Sequence, residues 1–128
     1  MASYFWRILR GEKLRGQAEI KIDRSEWEDL VDNDPTLTWM DDTPQGKEFY
    51  SGPGKDNPKK VAAFFLYNES KNKAIMTFAW GFESFIYVNV APRTKLKANK
   101  VFEIADKLNA KVYKLGREIH REKTISKV

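Results

Sequence analysis

Residues 61–90 read Val61-Ala62-Ala63-Phe64-Phe65-Leu66-Tyr67-Asn68-Glu69-Ser70-Lys71-Asn72-Lys73-Ala74-Ile75-Met76-Thr77-Phe78-Ala79-Trp80-Gly81-Phe82-Glu83-Ser84-Phe85-Ile86-Tyr87-Val88-Asn89-Val90. Three apolar ribbons, 61–67, 73–80 and 82–90, are separated only by the polar stretch 68–72 and by Gly81. Ribbons rich in branched and aromatic residues suit a pleated sheet. Connections this short dictate antiparallel pairing, because a parallel crossover needs about a dozen residues. The period of two then sorts the side chains. Met76, Phe78 and Trp80 share one face, with Ile75 and Ala79 on the other; Phe82, Ile86, Val88 and Val90 suit a core face, with Phe85 and Tyr87 opposite. A sheet apolar on both faces needs cover on both. Where cover is lacking, the face becomes a surface for another protein or a second copy of the chain. Phe85, Tyr87 and Ile75 are the candidates for such a surface. The competing expectation is that the N-terminal strand and the turn-rich stretch 40–58 fold over them.

Working outward, residues 4–10 and the alternating segment 18–23 read as strands, and 48–50 as a brief one. Between them and the meander lies a helix start. Ser25-Glu26-Trp27-Glu28 has the form of a capping box. Trp27, Leu30 and Val31 make an apolar stripe that Asp34-Pro35 terminates. After the meander, Thr94 is placed to cap a second helix reaching about Asn109, with Ala98, Val101, Phe102, Ala105 and Leu108 facing inward. A last strand spans 110–115, and residues after about 118 are expected to fray. The expected fold is α+β: an antiparallel sheet of about five or six strands with two helices, one domain over residues 1–128.

A length of 128 residues is that of a single domain. The chain has no cysteine, which removes disulfides, thiolate zinc sites and a cysteine nucleophile. The apolar run at 4–9 is broken by Arg7 and too short for a signal-peptide core. No stretch approaches the roughly 18 uninterrupted apolar residues of a membrane span. The expected location is the cytoplasm, with no membrane partner.

The groups that carry catalysis are sparse. His120, the single histidine, sits in a charged tail without an acid or hydroxyl at a useful spacing. Asp41-Asp42 lacks the further oxygen ligands a hard cation requires. Gly52-Pro53-Gly54-Lys55 has neither the spacing of a phosphate loop nor a following helix. No catalytic residue, metal site or cofactor is expected.

Charge is unevenly distributed. Residues 23–48 hold nine acids and two bases, a balance of −7, while 93–128 hold eleven bases and four acids, a balance of +7. Arg93, Lys95, Lys97 and Lys100 crowd a helix start, the end where the dipole is already positive. That inversion marks them as candidates for binding an anion or a phosphate backbone. Pairing with the acidic segment is the plainer alternative.

The stretch Ile22-Asp23-Arg24-Ser25-Glu26-Trp27-Glu28-Asp29-Leu30-Val31, followed by Asp34-Pro35-Thr36-Leu37, resembles the N-terminal part of a group of small uncharacterised bacterial proteins. Residues 104–113, Ile104-Ala105-Asp106-Lys107-Leu108-Asn109-Ala110-Lys111-Val112-Tyr113, resemble the closing motif of that group. The resemblance implies an N-terminal strand and a strand–helix–strand ending, and it carries no established activity. This chain departs from the group in its basic helix start and in Lys114-Leu115-Gly116-Arg117, where the group has an acidic turn. The leading expectation is a non-enzymatic protein-binding module, of accessory or immunity type. Nucleic-acid or anion binding through the basic helix start and tail is the alternative.

Overall fold

The computed structural model describes residues 6–14, 17–44, 60–81, 85–89, 92–114 and 117–121. Among them the elements run β1 (Trp6–Leu14), β2 (Gln17–Ile20), α1 (Arg24–Asp32), β3 (Leu37–Trp39), β4 (Ala62–Phe65), β5 (Met76–Gly81), β6 (Phe85–Val88), α2 (Lys95–Lys107), β7 (Lys111–Lys114) and β8 (Arg117–Ile119). The fold is α+β, as the patterning predicts. The strand count is slightly higher than expected, with seven strands in the order β3-β4-β5-β6-β1-β7-β8 and β2 paired to the outer half of β1. The strand expected at 48–50 and the core positions Phe82 and Val90 lie outside the described residues.

The apolar ribbons zip into the expected meander. Phe65 faces Met76, Ala63 faces Phe78, and Phe78 in turn faces Val88. What the ribbons do not foretell is their neighbour. β1 inserts between β6 and β7, with Ile8 opposite both Ile86 and Val112. Ile8 and Leu9 point to opposite faces and both are fully buried, the signature of a strand covered on two sides.

One face carries Trp6, Ile8, Leu37, Trp39, Ala63, Phe65, Met76, Phe78, Ile86, Val88 and Val112, and both helices lie over it in one core. Val101, Phe102, Ile104 and Leu108 anchor α2 there. At on the order of 2 kcal/mol for each large apolar side chain taken from water, packing outweighs the Thr94 cap, worth about 1 kcal/mol. Tryptophans tie connecting segments to the same core. Trp27 Nε1 donates to the Val61 carbonyl at 2.9 Å, Trp80 Nε1 to the Ile22 carbonyl at 2.7 Å, and Trp39 Nε1 to Asp32 Oδ1 at 2.8 Å.

One local expectation is corrected. The cap of α1 is Asp23, whose amide donates to Glu26 Oε2 at 2.9 Å, and Ser25 lies inside the helix. Both registers satisfy the capping pattern; Arg10 decides between them by gripping both Glu26 oxygens, at 3.0 and 2.6 Å. The fraying expected after about 118 falls mostly on residues outside the described ones, but Arg117–Ile119 are ordered. They form edge strand β8, with Ile119 packed against the core.

The second face of the sheet is also corrected. Phe85 is 7% exposed and joins Leu9 and Tyr113 in a separate buried cluster, against which Tyr87 rests. Phe64 and Ala79 on that face are buried as well. Phe85 is therefore core, because the inserted β1 and its neighbour β7 bring Leu9 and Tyr113 alongside it.

Candidate functional site

The site begins where α1 ends. Asn33 closes the helix, its side-chain amide donating to the Asp29 carbonyl at 2.7 Å. The chain then turns through Asp34-Pro35-Thr36. Asp34 Oδ1 accepts from the Thr36 amide at 2.9 Å and from the Thr36 hydroxyl at 2.6 Å. This local turn, which short acidic side chains favour, fixes the carboxylate so that Oδ2 faces α2. There Lys100 Nζ meets it at 2.5 Å and meets Glu103 Oε2 at 2.8 Å. The ammonium also lies 5.3 Å from the centre of the Phe65 ring, within cation–π range.

The side chains of Lys100 and Asp34 are 5% and 4% exposed. Burial by itself would raise the Asp34 carboxyl pKa. The hydrogen bonds from Lys100 and Thr36 outweigh it, and the group is held below its ordinary value. Lys107 stands further off, 3.9 Å from Asp34 Oδ2 and 3.8 Å from Glu103 Oε1. The acidic and basic segments of the chain thus neutralise each other at this point, across 66 positions of sequence.

Beside the pair opens a groove of about 510 Å³. Pro35, Thr36 and Phe65 form one side; Leu96, Asn99, Glu103 and Lys107 of α2 form the other, with Arg121 at the rim. Arg121 is held by Asp106 at 3.2 Å and sits 6.0 Å from the Phe102 ring centre.

The structure distributes the sequence candidates unequally. Arg93 and Lys95 are exposed and Lys97 is half-buried, its amide donating to the Thr94 hydroxyl at 3.3 Å. Lys100 is corrected: it is no free cation for an anion, because position 100 precedes Val101 and Ile104 on the inward side of α2 and Asp34 waits there. The signal was present in the helical spacing, four residues before Ile104, but its partner lies too far away in sequence to be read. Ile75 is exposed beside the start of β5. Tyr87 is half-buried, its ring over Gly81, where an added Cβ would come within 2.6 Å of Cε1.

The remaining candidates are spread out. Asp41 Oδ2 accepts from the Lys60 amide at 2.8 Å. His120 is exposed with Nδ1 3.5 Å from Glu118 Oε2. The glycine-rich segment 52–55 lies outside the described residues. No helix among the described residues is long and apolar enough to cross a membrane. No protein-family model, no curated protein and no solved structure matches this chain.

Proposed function

We propose that the chain is a non-enzymatic binding module of accessory or immunity type, and that its partner is another protein that docks at the groove between α2 and the 34–36 turn. The observation that carries this reading is an exposed apolar side chain standing in a concavity. Four large ones stand exposed among the described residues: Ile20, Leu66, Ile75 and Leu96. Leu96, 52% exposed, lines the groove itself. The Leu66 amide donates to the Thr36 carbonyl at 2.9 Å and the Ile75 amide to the Phe65 carbonyl at 3.0 Å; Thr36 and Phe65 are both groove residues. Leu66 and Ile75 are thus bonded to groove residues through the backbone alone, and Leu96 is the one of the four whose side chain lines the groove. Single exposed apolar residues are ordinary, but one set in a concavity with Pro35 and Phe65 suits an interaction surface.

The buried ion pair supports the same reading. Apolar side chains of similar volume would hold α2 against the turn at least as well, since desolvating two charges offsets most of their attraction. What an ion pair adds is a defined spacing between α2 and the turn, and that spacing sets the width of the groove. The docking surface thus replaces Phe85 with Leu96, while Ile75 stands exposed outside the groove lining.

The test is photocrosslinking in the source cells. With p-benzoylphenylalanine in place of Leu96, a protein adduct is expected; in place of Ile20, on β2 at the far end of the sheet, none is. Equal capture at both positions, no adduct at position 96, or adducts that nuclease removes would each overturn the reading. The alternative, anion or nucleic-acid binding, retains Arg93, Lys95 and Lys97. It predicts retention on a polyanion column that falls steeply with salt.

A further inference from the structure

We infer that the docking partner presents an acidic segment carrying one large apolar side chain, lying along the groove with that side chain lodged beside Leu96. This rests on the protein-docking reading above and gives its partner a chemistry.

The end of the sheet at which Leu96 stands gathers cations. Asn89 donates to the Thr77 carbonyl at 3.1 Å and accepts from the Thr77 amide at 2.9 Å, so the approach to α2 leaves the sheet at the same end as the β4–β5 turn. That turn carries exposed Lys71 and Lys73; the approach and first turn of α2 carry exposed Arg93 and Lys95 and half-buried Lys97. None of these five forms an ion pair among the described residues. The carboxylates nearby are Glu69, Glu103 and Asp34. Glu103 is engaged by Lys100 and Asp34 is buried beneath it. The surface presented to a partner is therefore strongly positive around an apolar centre.

Two further points favour an acidic occupant. Cations in the first turn of a helix oppose its dipole, and among the described residues no carboxylate pairs with Lys95 or Lys97. Carboxylates of a docked segment would relieve them. The groove also has the dimensions of a short extended peptide. From Leu96 to Lys107 is eleven residues of α2, about 16 Å at the helical rise, the length of about five residues of extended chain. Leu96, Pro35 and Phe65 supply the groove's apolar lining.

The probe is a phage-displayed library of random nonapeptides, selected on the full chain and counter-selected on the doubly substituted Leu96→Asp/Lys95→Glu variant. Both positions are exposed, and circular dichroism confirms that the variant folds. The expected consensus combines net negative charge with one large apolar residue. A synthetic consensus peptide should lose at least tenfold in affinity when that residue becomes serine, and at least tenfold on Leu96→Asp. It should weaken as salt rises, and Ile20→Asp should leave it unchanged. Selected peptides that are neutral or basic, that lack the apolar residue, or that bind the variant equally well would overturn the inference. So would an empty selection, or tighter binding of a twenty-nucleotide single-stranded DNA than of the best peptide at equal salt. A protein adduct at position 96 combined with any of these results removes the acidic-anchor chemistry alone; loss of the adduct removes the docking reading itself.

Discussion

Substituting Lys100 by methionine isolates the interaction on which the groove depends. The change keeps most of the side chain's volume and removes the ammonium that meets Asp34 at 2.5 Å. Asp34, 4% exposed, is left as a buried anion. Stranding one partner of a buried pair costs about 3–5 kcal/mol. The lower end applies here, because Asp34 keeps two hydrogen bonds from Thr36 and because Lys107, at 3.9 Å, can swing closer. With an unfolding entropy of about 2.1 cal/mol/K per residue, 128 residues give roughly 0.27 kcal/mol/K. A loss of about 3 kcal/mol then lowers Tm by roughly 11 °C. Asp34→Asn should cost less, since Lys100 retains Glu103 at 2.8 Å and the shortened network stays partly solvated. The double variant should be no less stable than Lys100→Met alone. The sign of the pH dependence supplies a second check. In Lys100→Met, Asp34 keeps its burial but loses the Lys100 hydrogen bond, so its folded pKa moves up from the parent's; acidification then costs the variant less than the parent, and the gap between them narrows. Thermal melts followed by circular dichroism at neutral and acidic pH measure all of this. A Tm change below about 2 °C for Lys100→Met, or strictly additive single and double variants, would refute the coupling described here.

Other consequences are open to direct measurement. Asp34 and Glu26 both have carboxyl pKa values below the ordinary range. For Asp34 the Lys100 and Thr36 hydrogen bonds overcome burial, and for Glu26 the leading cause is the Arg10 hydrogen bond. Their stabilisation is present above the unfolded values, near 3.9 and 4.3, and is lost as pH falls through the lower folded values. Urea midpoints should therefore hold steady at neutral pH and drop below about pH 4; a flat profile down to pH 2.5 would contradict the linkage. Phe85→Ala should destabilise the fold by about 3 kcal/mol, visible as a lowered urea midpoint, because Phe85 packs with Leu9 and Tyr113. An unchanged midpoint would return it to the surface. Gly81→Ala would place a Cβ 2.6 Å from the Tyr87 ring, and since that half-buried ring can yield, the expected loss is about 1 kcal/mol. A stabilised variant would mean the ring is not held over Gly81.

Much of the architecture was legible in the chain because its signals are local. The two-residue alternation of 76–80 and 85–88 assigned Met76, Phe78, Ile86 and Val88 to one face, and they lie in one core. Thr94 marked the start of α2, and all five residues of its expected stripe are buried. Hairpin lengths alone dictated the antiparallel meander. The features that failed were those settled by distant partners. Ser25 and Asp23 offer equivalent capping registers, and Arg10, from another strand, selects one. A charged segment such as 117–119 carries no strand signal of its own; it orders because β7 offers an edge.

The candidate site belongs wholly to this second class. By itself the sequence determined which residues are apolar, how they alternate, and that acids and bases are segregated along the chain. Only the tertiary structure decided that β1 enters the middle of the sheet, making Phe85 core, and that Lys100 turns inward to a carboxylate 66 residues away. The physical reason is that periodicity is written in backbone geometry over a few residues. An ion pair is instead worth forming only where the rest of the fold has already excluded water and brought its two halves together.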